Sequence, residues 1–97
     1  MTCLVTGAAV FAGSGPAALL EGREDYAWMI VDGNYAVLMT VDGATDPDNA
    51  ADPRIGFPLP PQTSFYINKA MLEKARFVCE DADQSTVLQV QGGGFSY

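Results

Sequence analysis

Hydrophobic and polar positions along this chain alternate over short stretches. Turn-forming runs cut them at Gly13-Ser14-Gly15-Pro16, Asp32-Gly33-Asn34, Asp42-Gly43, Asp52-Pro53, Pro58 to Pro61 and Gly92-Gly93-Gly94. Between these cuts the residues are rich in β-branched and aromatic types, which favour half-buried pleated strands. Thr2 to Val5 and Ala8 to Phe11 read as one or two short strands around Gly7. Tyr26 to Val31 and Tyr35 to Val41 flank a loop whose Gly and Asn supply positive φ angles, so Tyr26 to Val41 is predicted to be a hairpin. Both arms are apolar on both faces, which places the hairpin centrally or beneath a partner, with Trp28, Ile30, Val37 and Met39 largely buried.

Downstream, Asp42 to Pro53 has no strand pattern and forms the longest polar loop. Arg54 to Leu59 is predicted as an edge strand, because Pro58 cannot donate to a ladder. Thr63 to Asn68 is a strand with Phe65 and Ile67 on one face. Lys69 to Ala75 contains good helix formers but is too short for an independent helix, so one helical turn or a loop is expected. Arg76 to Glu80 and Ser85 to Gln91 are predicted to pair across Asp81 to Gln84, with Phe77 and Cys79 on one face and Thr86, Leu88 and Val90 on another. The sum is an all-β fold: a small antiparallel β-sandwich or jelly roll with at most one short helical turn. Residues 1–91 form a single domain, and residues 92–97 form a glycine-hinged C-terminal arm carrying Phe95 and Tyr97.

Composition sharpens this picture. The 97 residues suit one domain, which buries only about 60–65% of the surface its unfolded chain exposes. Hydrophobic residues make up 48% and charged residues 18%, less charge than a soluble monomer usually carries, so part of the surface is expected to be covered by other chains. The net charge is −7 and the five basic residues form no phosphate-binding footprint, which argues against nucleic acid and against anionic membranes. No run approaches the roughly 20 apolar residues of a membrane span, and no basic start precedes an apolar run, so neither a membrane location nor a signal peptide is expected. Cys3 and Cys79 are read as reduced thiols in preference to a disulfide.

The chain contains no histidine, the commonest general base and zinc ligand. It has no nucleophile elbow, no phosphate loop and no dinucleotide fingerprint. Neither an enzyme nor a bound cofactor is expected. Asp42, Asp46, Asp48 and Asp52 resemble a calcium ligand set, but their spacing does not fit the helical-hand pattern. They are read as solvated residues that start turns, with no metal. What remains is binding. Tyr26, Trp28 and Tyr35 in the hairpin, and Phe95 and Tyr97 in the arm, are the candidate interface residues, since Trp and Tyr are enriched at interfaces.

In order of features the chain resembles a class of small bacteriophage structural proteins. The features are an opening Thr2-Cys3-Leu4-Val5-Thr6-Gly7 strand, an aromatic strand at Tyr26 to Val31 and the turn at Asn34 to Leu38. An Ala/Asp-rich loop then leads to Pro58-Leu59-Pro60-Pro61, and the aromatic strand Thr63 to Asn68 follows. The last are Thr86 to Val90 and a glycine-rich aromatic tail, Gly92 to Tyr97. Lys69 to Ala75 departs from the pattern, where the class has a plain loop. The resemblance implies a virion protein made in the bacterial host cytoplasm: a capsid decoration (cement) subunit that binds copies of itself and a major capsid or neck/tail protein. The alternatives are a neck or tail component, and a lectin-like or host-protein-binding β-sandwich module.

Overall fold

The computed structural model describes residues 2–19 and 26–93. Ten elements follow one another: β1 (Thr2–Thr6), β2 (Phe11–Ala12), α1 (Ser14–Leu19), β3 (Tyr26–Asp32), β4 (Val37–Thr40), β5 (Phe57–Leu59), β6 (Ser64–Asn68), α2 (Lys69–Lys74), β7 (Arg76–Cys79) and β8 (Ser85–Gly93). The strands form two four-stranded antiparallel sheets. Sheet I has the order β1-β8-β3-β6 and sheet II the order β2-β7-β4-β5. This is the small all-β sandwich that the alternation predicts.

The core lies between the sheets. Sheet I contributes Val5, Met29, Val31, Ile67, Leu88 and Val90, every second residue of its strands. Sheet II contributes Val37 and Phe77, and Phe11, Met39 and Leu59 pack partly buried beside them. Each fully buried side chain of this size contributes about 1.5–3 kcal/mol relative to exposure. Thr86, Leu88 and Val90 share the inner face of β8, as their spacing predicts. Cys3 and Cys79 are both buried free thiols.

The strands pair differently from expectation in two places. Tyr26 to Val41 is not a hairpin: β3 lies in sheet I beside β8 and β6, whereas β4 lies in sheet II beside β7 and β5. The Asp32–Asn34 turn carries the chain from one sheet to the other. It passes so close over β8 that a Cβ on Gly33 would sit 2.2 Å from the Thr86 hydroxyl. Beyond it, Glu80 fastens the chain to the end of β7 by accepting from the Ala36 N–H (3.1 Å) and donating its own N–H to the Ala36 carbonyl (3.0 Å). Likewise β7 and β8 do not pair across Asp81 to Gln84. They belong to opposite sheets, and β8 pairs instead with β1 and β3.

Two short helices close one end of the sandwich. Each carries the chain between sheets, α1 from β2 to β3 and α2 from β6 to β7. The Asn68 side chain caps α2 by accepting from the Met71 N–H at 2.6 Å, and Leu72 is fully buried. α1 falls on a stretch read as a turn. It is held by tertiary packing on α2: Gly13 donates to the Ala75 carbonyl (2.8 Å), and a Cβ there would lie 2.3 Å from the Leu72 carbonyl.

Residues 41–56 fold back across the outer face of sheet II. Leu38 and Val78 are register partners and point away from the main core, yet they are only 3% and 4% exposed. Pro47 is buried above them, and a Cβ added at Gly56 would lie 3.1 Å from the Leu38 Cβ and 3.3 Å from the Pro47 Cβ. Asn49 ties this cover down, its amide donating to the Gly7 carbonyl (2.8 Å) and the Cys79 carbonyl (2.9 Å). Arg76 donates to Asp46 (2.6 Å) and to the Ala44 and Gly43 carbonyls (3.2 and 3.0 Å).

Candidate binding face on sheet I

The outer face of sheet I has no such cover from the described residues. Along β3 the burial alternates strictly, so Ala27, Met29 and Val31 face the core while Trp28, Ile30 and Asp32 face outward. The expected burial of Trp28 and Ile30 is therefore corrected: they are 44% and 38% exposed. Both arms of the supposed hairpin are apolar on two faces, but only β4 has its second face covered. Val37 is buried as expected, and Met39 is half-buried.

Register builds the face from four strands. Trp28 lies between Tyr66 on β6 and Gln91 on β8, Ile30 lies between Ser64 and Gln89, and Tyr26 lies opposite Asn68. Tyr66 is 65% exposed, and its ring meets two others: Trp28 at 5.3 Å between centroids and Tyr26 at 5.4 Å, edge-on. Such contacts hold aromatic rings in defined positions. Leu4 extends the apolar surface on β1. The Gln89 amide donates to the Asp32 carboxylate at the other end of β3. The result is an aromatic platform flanked by side-chain amides, with a shallow depression lined by Trp28, Ile30, Gln89 and Gln91.

The structure thus brings together two of the candidate interface residues, Tyr26 and Trp28, and separates the third. Tyr35 borders a polar depression with Asn49, Arg54, Glu80 and Asp81. Arg54 there pairs with Glu80 at 3.6 Å. Phe95 and Tyr97 lie outside the described residues. Gly92 and Gly93, read as the start of the arm, are the last residues of β8 and pair with Ala27 and Tyr26. Tyr66 was missed, although its signal was present: with Phe65 and Ile67 turned inward, the residue between them must face out.

Among the described residues, no three His, Cys, Asp or Glu side chains are grouped to hold a metal ion. Burial pushes both the Cys3 and Cys79 thiols above their ordinary pKa, which keeps them protonated. Two loop carboxylates serve local turns: Asp48 accepts from the N–H groups of Ala50 and Ala51, and Asp42 from those of Ala44 and Thr45. No protein-family model, curated protein or solved structure matches the chain.

Proposed function

We propose that this protein is a non-catalytic structural subunit of a bacteriophage particle, a capsid decoration (cement) protein, that docks on neighbouring subunits through the outer face of sheet I. One observation carries the docking. A packed set of half-exposed aromatics, Tyr26, Trp28 and Tyr66, stands on a sheet face that the described chain leaves open. Aromatic residues of this kind are the usual anchors of interfaces, where truncating one costs about 2 kcal/mol or more of binding. The low charge content and the resemblance in feature order support the particle as the setting.

The test is fractionation of phage particles from cells that produce the chain. The protein is expected to sediment with the particles in stoichiometric amounts. A Trp28→Ala/Tyr66→Thr double variant is expected to fold, by circular dichroism, and to stay at the top of the gradient. Recovery of the native chain only as free protein would refute the particle reading. Undiminished incorporation of the double variant would refute docking through this face.

A further inference from the structure

We infer that the partner segment seated on the outer face of sheet I is basic, an extended stretch that brings arginine side chains onto Trp28, Tyr66 and Asp32. This rests on the reading of that face as the docking surface and names its partner's chemistry.

Charge complementarity carries the inference. The outward positions of β1, β3, β6 and β8 among the described residues hold aromatic, aliphatic, hydroxyl and amide side chains, one carboxylate, Asp32, and no cation. The faces of Trp and Tyr rings carry negative electrostatic potential, so a guanidinium stacks on them favourably. Asp32 adds a full negative charge, and Gln89 fixes its carboxylate. The net charge of −7 draws cationic partners to the whole molecule.

The chain does not supply this cation itself from its described residues. Arg76 is spent on the loop over sheet II, Arg54 pairs with Glu80, and Lys69 and Lys74 lie on α2. A second copy placed face to face would bring together two bodies of charge −7. Spacing favours an extended segment. Trp28 and Asp32 are four residues apart on one strand, about 13 Å at the usual rise. A strand-like peptide lying along β3 meets both with arginines at every fourth position, and the Gln91 amide beside Trp28 stands ready for its backbone.

Trp28 is the only tryptophan in the chain, so its fluorescence reports directly on this face. The full-length protein is titrated with a capped peptide carrying arginine at every fourth position, with the same peptide carrying neutral citrulline, and with cellohexaose. The arginine peptide is expected to change Trp28 emission saturably and to bind about tenfold more tightly than the citrulline peptide, a difference of the size that cation–π and carboxylate contacts supply. Raising the salt severalfold should weaken it. Tyr66→Thr and Asp32→Asn should each weaken it by about fivefold.

Equal binding of the citrulline peptide overturns the inference. So does unchanged arginine binding by Tyr66→Thr, which would be mere attraction to an acidic surface. Saturable binding of the oligosaccharide in place of the peptide would make the face a sugar site, and concentration-dependent self-association would make it a dimer contact. Either outcome overturns the proposal. If arginine binding fails while the Trp28→Ala/Tyr66→Thr protein still drops out of particles, the basic partner falls and docking stands. If that variant remains in particles, docking itself falls.

Discussion

β3 and β4 carry the same kind of sequence and end in opposite situations. Both are apolar at odd and even positions, and both run through the interior of a four-stranded sheet. On β4 the second face holds Leu38, sealed beneath Pro47 and the loop that Asn49 and Arg76 fasten down. On β3 the second face holds Trp28 and Ile30, open and joined by Tyr66. A strand apolar on both sides needs two covers. The fold supplies both to sheet II and, from its described residues, one to sheet I. The uncovered side therefore leaves Trp28, Ile30 and Tyr66 open on one sheet face.

The sharpest way to break this comparison is to place one polar side chain on each strand. Leu38→Asn buries an amide without partners and loses a packed aliphatic, so a cost of about 3–5 kcal/mol is expected in urea unfolding, a large share of a small domain's stability. Ile30→Asn changes a part-exposed position and should cost about 1 kcal/mol or less. Equal costs would mean that the two faces are not differently covered.

A second variant tests what holds the cover in place. Asn49→Ala removes two hydrogen bonds that join the loop to the ends of β1 and β7 and leaves two carbonyls unpaired, at a cost of about 1–3 kcal/mol. Hydrogen exchange should rise at Asp48 and Ile55, whose N–H groups bridge the two arms of the loop, and not at β3 or β6. Exchange rising equally in both sheets would show that the cover is part of one cooperative unit.

The bare face predicts a smaller effect on folding. Tyr66→Thr puts a β-branched residue, itself a good strand former, on an edge strand and loses two exposed ring contacts, so stability should fall by about 1 kcal/mol while docking is lost. A loss of several kcal/mol would make Tyr66 a folding residue and remove the argument that the platform is kept for a partner.

Much of this was legible in the residues, for definite reasons. Alternation fixed the strands: Phe65 and Ile67 in, and Thr86, Leu88 and Val90 in, follow from a period of two. Strand partners did not follow. A short turn with Gly33 and Asn34 serves a hairpin or a crossing between sheets equally well, and the choice is made by Glu80 and Thr86, distant residues that meet it. α1 was hidden because Gly13, Gly15 and Pro16 spell a turn, and its helical form depends on docking against α2. The binding face was half legible. Trp28 is a docking candidate by residue type and a core candidate by pattern, because whether a second apolar face is covered depends on the loop after β4, which folds over sheet II, and on nothing in β3 itself.

The smallest expected effect concerns the start of that loop. The Asp42 carboxyl is held at about 2, against 3.8 for a free aspartate, first by the Thr45 hydroxyl (2.5 Å) and then by the N–H groups of Thr45 and Ala44. Because the pKa is lowered in the folded protein, the unfolded chain takes up this proton first as the solution is acidified. What Asp42 adds to stability is complete above about pH 4 and is lost as pH falls through about 2. The carboxyl is exposed, so the effect is local, and a carbon-detected NMR titration reads it better than a melting curve. Thr45→Val removes the leading donor and should move the midpoint up toward 3.8 while leaving the Trp28 ring signals unchanged. A midpoint already near 3.8 in the native protein would mean that the turn is not formed. The cover over Leu38 and Val78 would then be fastened by Asn49 and Arg76 alone, and the two faces of the sandwich would differ less than their burial implies.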